Sequence, residues 1–214
     1  MSQAPRDNTI DDFWQMCFQY NVKVIIMLCK EEEEGTIKSS KYWELDKSSN
    51  FQNVKTNKVF NDDIFVYRQL EIIRLKDNKK MLFSHLQFKK WPDHMAPDIQ
   101  NVVYNFEKIF KFLNDNNVEK QESQVSVKHP IVIHCSAGIG RSGVFIVLYL
   151  LYKEIMENIL NKQDIITFNI FNLVRKLKEM RRFSVENINQ YNFIYIFINE
   201  LLKEKNVPYK NQVK

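Results

Sequence analysis

Three of the chain's four glycines fall inside HCSAGIGRSG, His134 to Gly143, together with one of its three cysteines. The stretch follows a short β-branched run, PIVIH, and opens a long apolar segment, GVFIVLYLLY. A buried strand, a glycine-bearing turn and a helix in that order restrict the fold, because the strand belongs inside a sheet and the helix packs back against it. Glycine lets the backbone approach a ligand closely and adopt dihedrals closed to other residues. The first helical turn leaves N–H groups unbonded at the positive end of the helix dipole, so successive amides can converge on one anion.

Arg141, at the start of the helix, can offer a planar fork to two oxygens of that anion. A phosphate, a sulfate or a carboxylate would each satisfy these donors. Cys135 indicates what the cradle is for. Free thiols ionise near pH 8.5, and a helix N-terminus with a cation beside it lowers that value. A thiolate beneath an oxyanion is then placed to attack it. Ser142 is positioned in sequence to hydrogen-bond the sulfur and ease its later departure. An inert strand-to-helix turn requires no such set of Cys, Gly, Arg and Ser.

The rest of the chain narrows the setting. With 214 residues, 44% of them hydrophobic, the chain suits one domain over residues 1–214 with a sizeable core, and disorder is excluded. The net charge of +5 comes from lysines scattered among glutamates, which favours anionic substrates over a nucleic-acid groove. MSQAPRDNTIDDFW lacks the apolar core of a signal peptide, and the run from Gly143 to Tyr152 is too short to cross a bilayer. Cys17, Cys29 and Cys135 are odd in number and far apart, which points to a reducing compartment, the cytoplasm, rather than to disulfides. No CxxC or HExxH spacing suggests a metal site, and no cofactor is expected.

Periodicity predicts a helix from Asp11 to Tyr20 capped by Asn8 or Thr9, a buried strand from Val22 to Cys29, and a turn at Glu31–Gly35. Two strands are expected between Lys55 and Leu75, and another from Lys79 to Phe88. A helix is expected from Ile99 to Asn114, then a flexible loop from Asn114 to Lys128. After the strand HPIVIHC, helices are expected from Ser142 to Ile159, Asp164 to Arg181 and Asn187 to Lys205. Strands separated by helices read as an α/β (α+β) fold, with a central mixed sheet flanked by helices.

HCSAGIGRSG resembles the signature loop of the cysteine-dependent protein tyrosine phosphatases. The resemblance implies Cys135 as nucleophile, and Ser136, Ala137, Gly138, Ile139, Gly140 and Arg141 as the phosphate-binding loop, with His134 in support. Trp91-Pro92-Asp93 is similar to the family's mobile acid loop, with Trp91 as hinge anchor and Asp93 as general acid and then, with Gln190, as the base that activates water for hydrolysis of the phosphocysteine. Tyrosinate has a parent pKa of about 10, so its expulsion needs a proton donor. An ordinary Asp, with a pKa of about 3.9, holds few protons at neutral pH. Asp93 must therefore be raised by apolar neighbours or by the substrate dianion, or else the reaction runs best at acidic pH.

TIDDFWQM and KSSKYW also resemble family segments. Between them, Glu33 or Glu34 aligns with the glutamate that steadies the arginine, and Lys38 with a lysine near the acid loop. NQYNFIY is similar to the helix after the family's glutamine loop. Its second glutamine is Gln190, while Glu186 stands for the first, which implies slower breakdown of a phosphocysteine. Met95 stands where the family usually has glycine, which bears on loop closure. Met1 aligns just before the family's first central strand region. The chain thus resembles a family member shortened at its front, without the tyrosine-bearing loop that deepens the substrate pocket. The Lys-, Asn- and Ile-rich composition is similar to polydnavirus (bracovirus) phosphatases, which would act in a host-cell cytoplasm.

These readings lead to a monomeric signalling enzyme acting on phosphotyrosine-containing proteins, with no nucleic-acid, membrane or metal partner. A pseudophosphatase that captures phosphotyrosine proteins without turnover is the alternative. An RNA or lipid phosphatase is a third, disfavoured by Ser136, Ala137, Ile139 and Gly140.

Overall fold

VIIM is the middle of the molecule. In the computed structural model, which describes residues 1–45, 49–97, 102–116, 118–120, 126–162, 166–207 and 209–211, this run forms β1 (Val24–Met27), buried at every position. A single 3-10 turn (Asp7–Thr9) and α1 (Ile10–Gln19) precede it. A two-stranded hairpin, β2 (Glu32–Glu33) and β3 (Thr36–Ile37), follows. Three long strands come next, β4 (Phe51–Asn61), β5 (Phe65–Arg74) and β6 (Lys79–Phe88), then α2 (Val102–Asn116). The chain continues through β7 (Val118–Lys120), β8 (Ser126–Lys128), β9 (Ile131–His134) and α3 (Gly140–Leu160). It ends with β10 (Ile166–Phe168), α4 (Ile170–Met180), α5 (Ile188–Glu204) and β11 (Tyr209–Asn211).

The main sheet has the order β4-β5-β6-β1-β9. β4, β5 and β6 form an antiparallel meander, whereas β1 runs parallel to both β6 and β9. The expected mixed sheet flanked by helices is therefore what forms. Side chains alternate across β1: Val24 and Ile26 join the core shared with α2, α3, α4 and α5, and Ile25 and Met27 join the core under α1. Leu28 N–H donates to His134 O at 2.8 Å, so the central strands deliver the end of β9 in fixed register.

Several boundaries differ from expectation. The helix expected from Asp164 to Arg181 is β10 followed by α4; residues 164 and 165 lie outside the described residues. ITF favours a strand, and the Asn169 side chain accepts from Asn172 N–H at 2.8 Å, so the helix can begin only after Asn169. α2 extends to Asn116, and β7 pairs antiparallel with β8 across the segment expected as a loop. Residues 117 and 121–125 of that segment, and 99–101 of the helix expected before it, lie outside the described residues. Thr9 does precede α1, but its hydroxyl bonds back to Arg6 instead of capping. Finally, α3 begins at Gly140, two residues before the expected Ser142, which puts Arg141 in its first turn.

Candidate functional site

The turn between β9 and α3 carries the candidate site. Gly138 has φ +70°, and a Cβ there would lie 2.0 Å from Ser2 O, so only glycine fits. Ser2 N–H donates to Ile133 O and Ala4 N–H to Ser136 O, both at 2.9 Å, so residues 2–4 run along the loop as a brace. Among the described residues, no backbone carbonyl accepts from the N–H groups of residues 136–139. Unbonded amides at a helix start leave a ring of donors without an acceptor. Cys135, the residue after β9, is buried.

Arg141 is 1% exposed, and its guanidinium is held on three sides. Nη1 donates to Glu33 Oε1 at 2.7 Å and to Trp91 O at 2.8 Å, while Nη2 lies 3.1 Å from Asp93 Oδ1. Burial alone would weaken its hold on the proton, but the Glu33 hydrogen bond and charge reverse this, and the net shift is upward. Of the two glutamates left open by the sequence, Glu33 is therefore the one that reaches the arginine. Glu34 instead takes the first left-handed position of the β2–β3 turn, with φ 49°, beside Gly35 at 72°.

The 91–95 segment closes over the arginine. Trp91 is buried against Phe88, Phe106 and Phe193, and its indole N–H donates to Met95 O at 3.0 Å. Asp93 Oδ2 accepts from Lys38 Nζ at 2.7 Å. Burial pushes the Asp93 carboxyl up, but Lys38, Arg141 and His94 together outweigh it and leave it below the ordinary value. Apolar neighbours thus do not raise Asp93 in this state, contrary to one of the three expected routes. The left-handed backbone that closes this turn belongs to His94, φ 58°, while Met95 projects outward, 59% exposed, without needing that conformation. A cavity of about 470 Å³ opens beside this segment, lined by Lys30, Lys38, Lys89, Trp91 and Asp93 among others.

Behind the loop runs a buried hydrogen-bonded chain that sequence reasoning caught only at His134. Arg68 Nη1 meets His85 Nδ1 at 3.3 Å, and His85 Nε2 meets Tyr42 Oη at 2.7 Å. Tyr42 Oη meets His134 Nε2 at 2.8 Å, and His134 Nδ1 meets Cys135 O at 3.1 Å. Burial holds His134 at about 4 and His85 well below its usual range, so both are neutral. An arginine can only donate, which fixes every tautomer: each group donates onward, and the last N–H falls on the Cys135 carbonyl. The signal for Tyr42 was present in KSSKYW; Arg68 and His85 sit in strands whose pattern marks only a sheet.

The remaining predicted residues are placed unevenly. Gln190 is buried near the start of α5, and its Oε1 accepts from Glu186 N–H at 2.8 Å. A Cβ on Gly140 would lie 2.7 Å from Gln190 Nε2, so the glutamine rests on the start of α3. Ser142 Oγ is fully buried with no hydrogen-bond partner among the described residues, and the expected bond to the Cys135 sulfur is absent. Among the described residues no cluster of His, Cys, Asp or Glu has the makings of a metal site, and no helix is long and apolar enough to cross a membrane.

Residues 1–200 match the family model for protein-tyrosine phosphatase. The chain is 33% identical over 204 residues to Tyrosine-protein phosphatase 2 of Dictyostelium discoideum, covering 94% of this chain and 51% of that one. It is 31% identical over 218 residues to the human Tyrosine-protein phosphatase non-receptor type 9, covering 99% of this chain and 36% of that one. It thus spans about half or less of the length of these curated relatives. A solved structure of PTPN18 in complex with HER2 phosphopeptides superposes with TM-score 0.73 at 25% identity, over 94% of this chain and 70% of that one.

Proposed function

Since the chain belongs to the protein-tyrosine phosphatase family, we propose that it hydrolyses phosphotyrosine in proteins through a phosphocysteine intermediate. The observation that carries this reading is the turn after buried Cys135, in which the N–H groups of residues 136–139 meet no backbone carbonyl among the described residues and Arg141 is held by Glu33. In the first step the Cys135 sulfur attacks phosphorus in line, a P–S bond forms, and the P–O bond to tyrosine breaks. The equatorial oxygens gather negative charge, which the loop amides and the Arg141 fork stabilise without reorganising. Glu33 and the Trp91 carbonyl keep that fork oriented. Asp93 donates its proton to the departing phenolate oxygen. In the second step water, oriented by Gln190, attacks phosphorus, the P–S bond breaks with its electron pair going to the Cys135 sulfur, and the water proton passes to a carboxylate at the mouth of the loop.

Capture without turnover is the competing reading, favoured by the hold that Lys38 and Arg141 exert on Asp93. One experiment separates the two: release of p-nitrophenolate from p-nitrophenyl phosphate, beside calorimetry with a phosphotyrosine peptide. The hydrolytic reading expects turnover in the natural sequence and none in Cys135→Ser. Tight peptide binding with no phenolate release would overturn it in favour of capture, and turnover that survives Cys135→Ser would overturn both.

A further inference from the structure

Asp93, His94 and Glu186 form a row of three titratable groups across the mouth of the loop, and the reaction above uses only the first. His94 Nδ1 lies 3.2 Å from Glu186 Oε2, and its Nε2 lies 3.6 Å from Asp93 Oδ2. Asn187 Nδ2 donates to His94 O at 3.0 Å, so the acid segment and the segment before α5 are joined through backbone as well as side chain. Gln190 fixes Glu186 from the other side by accepting its N–H. The absence of a side chain at Gly140 lets Glu186 close on the phosphate loop, since a Cβ there would lie 3.1 Å from Glu186 Oε2.

We propose that Glu186 is a second base of this reaction: its carboxylate takes the proton of the water that hydrolyses the phosphocysteine, with His94 as the positioning residue that orients it. The assignment rests on the phosphatase reading above. In this step the water oxygen bonds to phosphorus, the P–S bond breaks, and the electron pair leaves with the Cys135 sulfur. The water proton passes to Glu186, which at 38% side-chain exposure can return it to solvent. A glutamine amide at this position could orient water but could not accept its proton; a carboxylate does both. The division of labour has a physical reason. Lys38, 2.7 Å from Asp93 Oδ2, stays on that carboxylate when a phosphoryl group draws Arg141 away, and a carboxylate so held is the weaker base.

The test is rapid-mixing kinetics on p-nitrophenyl phosphate with the natural protein and Glu186→Gln, which preserves size and hydrogen bonding. The first step sets kcat/KM and the second step limits kcat once hydrolysis is slowed. Glu186→Gln is expected to give a burst of about one phenolate per enzyme, with kcat about 10-fold or more lower and kcat/KM within about twofold. Glu186→Asp, which keeps a carboxylate, is expected to exceed Glu186→Gln in kcat. Unchanged or higher kcat in Glu186→Gln would overturn the assignment, as would a parallel fall of kcat and kcat/KM. A natural protein that releases no phenolate would overturn the phosphatase reading itself, and this assignment with it.

Discussion

Replacing Gly138 by Ala tests whether the brace along residues 2–4 holds the turn between β9 and α3 in shape. Two costs add. The φ of +70° is strained for any residue with a Cβ, by roughly 1–2 kcal/mol. The new methyl would also lie 2.0 Å from Ser2 O and 2.6 Å from Gln3 N, so the brace must move. Moving it breaks the hydrogen bonds from Ser2 to Ile133 and from Ala4 to Ser136, each contributing about 1 kcal/mol net. The expected loss is therefore about 3–4 kcal/mol. Gly35 supplies an internal control, because its φ of +72° is nearly the same while none of the described residues comes within 4 Å of its missing Cβ. Gly35→Ala should show only the dihedral cost, about 1–2 kcal/mol. Urea denaturation of both variants measures the two numbers and their difference. If Gly138→Ala is no more destabilising than Gly35→Ala, the brace does not support the loop and the reasoning fails.

Other consequences follow from the charges. His134 is held at about 4 by burial, against 6.5 when exposed, so below pH 6.5 the unfolded chain binds a proton that the folded chain refuses. Stability is then intact above about pH 6.5 and falls as pH drops toward 4, by roughly 3 kcal/mol over that window; urea titrations at several pH values should show the fall, smaller in His134→Gln. Lys38→Met removes the 2.7 Å partner that helps hold Asp93 low, so Asp93 should bind its proton more readily and the basic limb of kcat/KM should move to higher pH.

The sequence was most legible where one residue type alone satisfies the local physics. HCSAGIGRSG marks a strand-to-helix turn because Gly138 sits at φ +70° and Arg141 falls in the first turn of α3. The buried run of β1 and the amphipathic face of α2 were equally plain, since each rests on a local period. What escaped was set by contacts distant in sequence. Arg68 and Tyr42 enter the chain behind Cys135 only because β5 lies two strands from β1 and the KSSKYW segment folds across the sheet. The choice between Glu33 and Glu34 depends on the hairpin register, in which Glu33 pairs with Thr36 and Glu34 turns outward. β10 was hidden because three residues carry too little period to outweigh the strong helical pattern after them.

The low position of Asp93 and its proposed role as an acid are two states of one charge balance. Without substrate, the positive charges of Arg141 and Lys38 are matched by the negative charges of Glu33 and Asp93, through contacts of 2.7 to 3.1 Å. A phosphate dianion seated on the loop amides competes with Asp93 for Arg141, and it also brings negative charge beside the carboxylate. Losing a cationic partner and gaining an anionic neighbour both raise a carboxyl's affinity for a proton. Glu33 stays on the other edge of the guanidinium throughout, so the fork is freed toward the substrate without losing its anchor. On the proposed reaction, then, the substrate itself arms the acid: the arginine that keeps Asp93 ionised in the free protein is the group the phosphate takes away from it.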